Sequence, residues 1–406
     1  MNSKKKYLNK ETISWAFYDW ANSAFATTVM AGFFPIFFKS FWAGDLSGPE
    51  SSAWLGTANS ISGLVIVSIA PFLGALADIT NKKKLFLSIF AFLGIISTGS
   101  FLFIAQGMWV TAMSIYILAC IGFSGGNVFY DSLIINVSSD ENRNRVSALG
   151  YALGYLGGGF LFVLNVAMYQ NPEFFGLKSI TDAVLFSFLS VSIWWGIFSV
   201  PLLRYVREKK ENQTSVKFSN LFIDSLQRVV STFKDIRKYK TLTLFLLAYW
   251  LYMDGIDTIV RMALAYGADI GLEASDMILA LIITQFVGFP ATILYGILGD
   301  KFGLKLMLSI GIIGYIFVTI FSIFITQISG FYFLAATIGL FQGGVQSISR
   351  TIFSQLIPVG KSAVVFGPIM VGWVAYTFDN PDFGILSLLL LFIPGLLVLW
   401  MVPKIR

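Results

Sequence analysis

The sequence predicts an all-α membrane protein of twelve transmembrane helices, arranged as two pseudo-symmetric six-helix bundles with the eleventh helix short or broken. Three observations carry this. The chain is 56% hydrophobic and only 12% charged, where soluble proteins carry roughly a quarter of charged residues. Long apolar runs succeed one another along its 406 residues, and a bilayer core about 30 Å thick takes about 20 residues of helix. One short phrase also occurs twice, 222 residues apart. Gly74-Ala-Leu-Ala-Asp78-Ile-Thr-Asn-Lys82-Lys83-Lys84 closes the second run, and Gly296-Ile-Leu-Gly299-Asp300-Lys301-Phe-Gly303-Leu-Lys305 closes the eighth.

The runs read as spans over 13–40, 53–77, 85–106, 109–130, 145–168, 182–203, 241–266, 277–298, 304–326, 330–349, 362–378 and 384–402. The alternating ten-residue segments of a β-barrel do not occur. The first run follows a basic leader but is too long for a signal peptide, contains Asp19 and is followed by further spans, so it reads as a retained helix. With a cytoplasmic N-terminus, the inner loops hold 25 of the 28 Lys and Arg residues. The outer loops hold only Lys39 and Lys178, and Arg261 lies within a span. This is the positive-inside pattern; both termini are predicted to be cytoplasmic, which requires an even number of spans. The net charge of +6 therefore reports topology. The lipid bilayer is the expected partner surface, and no nucleic acid is.

Composition also restricts the chemistry. Cys120 is the sole cysteine and histidine is absent, which removes an intrachain disulfide and any cysteine-cluster metal site. A proton relay would run through carboxylates, tyrosines or water. No metal or other cofactor is expected, and a monomer is.

Residues 1–203 form one expected bundle, 204–240 a cytoplasmic linker and 241–406 the second bundle. The linker changes abruptly to charged and polar composition. Within it Phe218, Phe222, Leu226, Val229, Val230, Phe233 and Ile236 fall at three- and four-residue steps. They predict either a basic amphipathic helix on the inner leaflet or a connector folding back on the bundle. Further matches support duplication. Trp15-x-x-x-Asp19-x-x-Asn22 pairs with Trp250-x-x-x-Asp254-x-x-Asp257 at an offset of 235, Gly125-Gly126 with Gly343-Gly344 at 218, and Asn171-Pro172 with Asn380-Pro381 at 209.

The seventh span carries Asp254, Asp257 and Arg261. Each costs roughly 2.5–3.5 kcal/mol at a helix centre, while each Leu, Ile, Phe or Val returns only about 0.3–0.6. Such a helix should face an aqueous cavity, since ionisable residues within the membrane mark functional sites by default. Asp257 and Arg261 are four apart and share a face; a purely structural pair holding helices together is the alternative. Asp19 holds the matching place in the first span, beside Tyr18 and Asn22, and the two clusters are expected to confront each other across the pseudo-twofold axis. Tyr249 and Tyr252 are placed to add hydroxyls. Such a set suits a zwitterion, with carboxylates for its ammonium and Arg261 for its carboxylate.

The duplicated turns, with Gly74, Asp78, Lys82 and Lys83 in one and Gly296, Gly299, Asp300, Lys301 and Gly303 in the other, predict a breakable cytoplasmic gate; plain topology signalling by loop cations is the alternative. Ile79 and Asn81 depart from the basic residue and glycine of the second copy. Asp131 and Arg350 end the fourth and tenth predicted spans, either joining that gate or standing as solvated caps. The glycine clusters at 122–126, 154–159 and 339–344 lie inside apolar helices, where small residues let backbones approach; they lack the context of a phosphate loop.

These residues resemble the major facilitator superfamily, whose cytoplasmic signature follows the second and eighth helices. More narrowly, Ser14-Trp-Ala-Phe-Tyr-Asp-Trp-Ala-Asn-Ser-Ala-Phe-Ala-Thr-Thr28 is similar to the opening of its vacuole-effluxer-like family. So are Leu247-Ala-Tyr-Trp-Leu-Tyr-Met-Asp-Gly-Ile-Asp257 and Gln342-Gly-Gly-Val-Gln-Ser-Ile-Ser-Arg350. Fungal members are associated with exporting amino acids from the vacuole. The resemblance implies a carrier of the bacterial cytoplasmic (inner) membrane with a major-facilitator-type fold, and amino-acid efflux by analogy. The chain departs from the family where Gly360-Lys-Ser-Ala363 passes almost at once to Phe366-Gly-Pro368, so the eleventh helix is expected to be short or broken.

The function expected is secondary active transport of a small polar solute by alternating access, with protons as candidate co-substrate. The rivals are a lipid flippase or membrane sensor on the same fold, and a carrier for sugars, peptides or organic acids. No Ser/His/Asp set or Walker loop is present to suggest an enzyme.

Overall fold

The computed structural model describes residues 8–208, 227, 239–269, 273–322, 324–325, 327–356 and 388–403. The linker segment for which an amphipathic helix or a connector is expected, the expected eleventh span with Pro368, and the Arg261 side chain lie outside the described residues. The described chain is helical from end to end: α1 (Lys10–Trp42), α2 (Gly48–Thr80), α3 (Lys83–Ser100), α4 (Trp109–Ser132), α5 (Arg143–Gln170), α6 (Ile180–Tyr205), α7 (Lys240–Asp269), α8 (Ala274–Phe302), α9 (Leu304–Ser322), α10 (Ile328–Leu356) and α11 (Leu389–Met401). Ten of these are long and apolar enough to cross a membrane, and α11, the last predicted run, is a shorter apolar helix.

Local chemistry sets the ends. Asn9 caps α1 by accepting from the Thr12 amide at 2.9 Å, supplying one of the partners that a helix start lacks. Midway, α1 widens into a π-helical stretch over Phe25–Phe33 and again over Phe38–Trp42, a winding often found at functional positions. The two duplicated turns are not geometrically equivalent. Asn81 stops α2 in the left-handed region at φ 51, ψ 44, which Asn tolerates. Gly303 stops α8 at φ 96, ψ 141, which only glycine occupies readily.

Outer faces follow the helical period. On α3 Leu85, Ile89, Phe92 and Ile96 are exposed, and on α9 Leu306, Ile310, Ile313, Phe317 and Ile320. Continuous apolar stripes of this kind face hydrocarbon, where all backbone polar groups must be satisfied within the helix. Inside, the buried apolar residues form two clusters. One runs from Trp15 to Val206 and takes in Ile278; the other runs from Leu242 to Val402.

Between those clusters α5 lies along α8 and α10 through glycine. A Cβ on Gly296 would stand 2.6 Å from that of Ala148, one on Gly288 would stand 2.8 Å from the Tyr155 ring, and one on Gly159 would stand 2.9 Å from Gln285. The partners of α5 move back along α8 as α5 advances, so the two cross as an antiparallel pair. At 1.5 Å per residue the contact from Ala148 to Gly159 spans about 16 Å. No other residue type permits backbones this close without one side chain giving way.

Candidate functional site

The element that organises the interior is Arg350 on α10. Sequence placed it at the end of the tenth span. In the structure α10 continues to Leu356, so Arg350 sits well inside the helix and is only 6% exposed. Its guanidinium reaches out of the C-terminal half. Nε donates to Ser147 Oγ at 3.0 Å, and one terminal nitrogen donates to Asp131 at 2.8 Å and Asp19 at 3.5 Å. The other donates to the Ser147 carbonyl at 2.9 Å and to Asp19 at 3.4 Å. A guanidinium has five N–H donors in a fixed fork, and these are five hydrogen bonds to four acceptor atoms, Asp19 Oδ2 taking two of them. All of them belong to α1, α4 and α5.

Three aromatic faces complete the enclosure, with the guanidinium carbon 4.9 Å from the ring centre of Trp15, 5.4 Å from Tyr130 and 4.1 Å from Tyr151. The rings are themselves fixed. Trp15 and Tyr130 stack with centroids 4.5 Å apart, Trp15 Nε1 donates to the Tyr130 carbonyl at 3.0 Å, and the Tyr130 hydroxyl donates to Asp19 at 2.7 Å. Tyr18 packs against Tyr130 with ring centroids 5.0 Å apart. Asp19 is buried, whereas the Asp131 side chain is 44% exposed. The cluster is least enclosed on the Asp131 side.

This differs from the expected pairing. The charge facing Asp19 across the two halves is Arg350, not a carboxylate of α7. The physical reason is plain: two buried carboxylates repel, and an ion stripped of water needs an opposite charge with its remaining hydrogen bonds filled. Asp254 is buried on α7, and its carbonyl accepts from the Thr258 hydroxyl at 2.7 Å. Asp257 is half-buried. Tyr249 lies edge-on to Tyr252 at 5.6 Å, and the buried Tyr252 hydroxyl shares a 2.7 Å hydrogen bond with Ser349, the neighbour of Arg350. Asn22 instead bonds Asn127 of α4 at 2.5 Å.

A second ring of contacts lies nearer the side of the membrane that carries the basic loops. Asp300 accepts from Arg145 Nε at 2.5 Å and from Asn144 Nδ2 at 2.9 Å, and the same amide donates to the Gly296 carbonyl at 2.8 Å. A Cβ on Gly299 would meet that amide at 2.8 Å. The second duplicated turn therefore grips the other half through its acid and both of its helical glycines. In the first turn Asp78 pairs with Lys83 at 3.2 Å, while Lys82 and Lys301 are exposed; Gly74 is buried in α2.

Sequence reasoning overlooked Tyr130, Tyr151, Asn144, Arg145 and Ser147. One signal was available. Phe17-Tyr18-Asp19 recurs as Phe129-Tyr130-Asp131, and both carboxylates converge on the same guanidinium.

Among the described residues, eleven apolar helices pack around a charged interior, as in integral membrane transporters of the major facilitator fold. The structure is similar to that of the proton:xylose symporter XylE bound to 6-bromo-6-deoxy-D-glucose, with a TM-score of 0.68 at 17% identity over 97% of this chain and 95% of that one. It also resembles the human organic anion transporter MFSD10 (TETRAN), at a TM-score of 0.62 and 10% identity over 96% and 94% of the two chains. In sequence, the model of the family described as vacuole effluxer Atg22 like matches residues 50–140 and 135–406, and the chain belongs to that family. It is 35% identical over 414 residues to the uncharacterized MFS-type transporter YxiO of Bacillus subtilis (strain 168), covering 98% of this chain and 96% of YxiO. Autophagy-related protein 22 of Yarrowia lipolytica is 25% identical over 304 residues, 63% of this chain and 50% of its own length; the chain thus matches about half of that fungal relative.

Proposed function

We propose that the protein is a secondary carrier that exports a small polar solute, amino acids first among the candidates, by alternating access. Residues 1–203 and 241–406 act as the two moving bundles of a monomer, and the side with the basic loops faces the cytoplasm, as do both termini. The observation that carries this reading is that Arg350 spends all five donors on the opposite half. Separation of the halves breaks every one of those bonds together and returns the guanidinium and both carboxylates to water. A buried pair of this kind adds little net stability, because desolvation offsets most of the attraction, so the two states differ by an amount that a solute can shift.

Around this latch Tyr18, Asn22, Tyr249, Tyr252, Asp254, Asp257 and Arg261 are assigned to the solute pathway. Asp78 and Asp300, with their turns, are assigned to the cytoplasmic gate. Amino-acid efflux is supported by the family of the fungal relative. Proton coupling is assigned to Asp19, Asp254 and Asp257, and transport that does not change with pH in proteoliposomes refutes it. The test of the whole reading is counterflow in proteoliposomes loaded with amino acids. Wild type should exchange labelled amino acid, while Arg350→Ala and Asp19→Asn should slow exchange about tenfold or more, within the usual range of coupling energies. Undiminished exchange by Arg350→Ala removes the latch from the mechanism.

A further inference from the structure

We propose that the pocket now filled by Arg350 becomes, when the halves separate, a binding site for a solute bearing a guanidinium or primary ammonium group. The inference rests on the alternating-access reading and deepens it, because it names the chemical class that the N-terminal half recognises. In the closed arrangement the occupant is a side chain of the protein itself. Its walls are the carboxylates of Asp19 and Asp131, the hydroxyl and carbonyl of Ser147, and the faces of Trp15, Tyr130 and Tyr151.

Two features make this a formed receptor and not a mere acidic cluster. First, two of its rings are anchored without help from α10, by Trp15 Nε1 on the Tyr130 carbonyl, by Tyr130 on Asp19 and by the stacked Trp15–Tyr130 pair. Withdrawal of Arg350 leaves the Trp15 and Tyr130 walls in place, and a pre-ordered site loses little entropy on binding. Second, the walls combine three π faces with two negative charges. Neutral polar molecules would leave both carboxylates uncompensated, and anions are repelled. A small inorganic ion is strongly hydrated and gains little from aromatic faces, whereas a guanidinium is weakly hydrated and stacks on them. The half-exposed Asp131 supplies the way in from water.

The same separation leaves Arg350 on the opposite wall with its fork unpaired, a match for a carboxylate. An amino acid would then exchange one internal ion pair for two with the solute, its ammonium in the aromatic pocket and its carboxylate on Arg350. Closure over the solute and closure over the bare pocket become alternatives that compete for the same acceptors.

The experiment uses the purified full-length protein with Arg350→Ala, which empties the pocket without requiring transport. The probe is methylguanidinium, compared with methylurea as a neutral molecule of the same shape and with sodium at equal ionic strength. The expected result is a saturable rise in Tm of about 2 °C at roughly ten times the dissociation constant of the probe. Methylurea and sodium should give no rise, wild type should give a smaller rise at the same concentration because Arg350 competes for the pocket, and Asp19→Asn added to Arg350→Ala should abolish the effect. Arg350→Gln, whose shorter side chain vacates the guanidinium position and removes the charge, serves the same purpose if the alanine variant does not fold. A rise of equal size with methylurea or sodium, or in wild type, overturns the proposal, as does the absence of any rise in both variants. These outcomes are read without transport, so they separate failure of the pocket from failure of the carrier reading, which counterflow tests.

Discussion

Gly296→Ala should hold the two halves apart on the basic side of the membrane, and the size of the effect follows from one distance. The new methyl would stand 2.6 Å from the Ala148 Cβ, where carbon atoms rest at about 3.5–4.0 Å. Neither partner has a rotamer that escapes, because both are single methyl groups on helical backbone. The helices α5 and α8 must therefore part by about 1 Å, or the closed arrangement must absorb the clash at about 1–3 kcal/mol. In a protein with two discrete arrangements that energy appears as a change in population, about 5- to 150-fold towards the open one. Ser347 of α10 reports it. Its carbonyl accepts from Ser147 across the interface at 2.8 Å and it is fully buried, so Ser347→Cys in a Cys120→Ser background should react with a maleimide only on opening. The labelling rate should rise about tenfold with Gly296→Ala, towards the lower end of that range. Adding Ala148→Gly removes the opposing methyl and should return the rate towards that of the parent, which a general loosening of the fold would not do. Equal labelling in all three proteins, or a rise that Ala148→Gly leaves untouched, refutes the steric argument.

The remaining predictions concern the turns and the latch. Gly303→Ala should destabilise by about 1–3 kcal/mol because its φ of 96 with ψ 141 excludes a side chain, whereas Asn81→Gly should be nearly neutral; thermal denaturation of both in one detergent checks the contrast. Arg145→Ala, which breaks a half-exposed pair with Asp300, should cost only about 0.2–1 kcal/mol, and its effect on maleimide labelling should shrink as salt is raised. Tyr252→Phe removes the hydroxyl that meets Ser349 and should lower stability by about 1 kcal/mol, measured by the shift in Tm.

The helices were legible because hydrocarbon imposes length and composition directly, and the duplicated turns were legible because a cation-flanked acid between two apolar runs is a strong signal. The burial of Arg350 was hidden for a particular reason. A lone arginine near the end of an apolar run looks the same whether the helix stops there or continues, and Ser349-Arg350-Thr351 reads as a polar boundary. Only the further turns to Leu356, and the arrival of α1, α4 and α5, turn that boundary into an interior. The acids on α7 drew attention away for the converse reason. Insertion cost is counted helix by helix, whereas compensation is supplied by other helices, and no count along one strand of sequence identifies which. The repeated Phe-Tyr-Asp phrase held that information, since two acids with the same aromatic escort suggest a shared cation.

The two kinds of contact between the halves answer different physical requirements. Glycine packing along α5 and α8 is steep with distance, so it defines one closed geometry sharply but offers a solute nothing to recognise. The Arg350 cluster is nearly balanced, because each ion recovers in water much of what it loses on leaving its partners. On the proposed reading it contributes little to keeping the protein closed and a great deal to deciding what can replace it. A carrier needs both properties. Were the interface held by charges alone, ions would open it without a solute; were it held by glycine packing alone, occupancy of the pathway would not alter the balance between its states. Placing the steep contact on α8 and the balanced one on α10, both against α5, lets a single helix register closure and occupancy together.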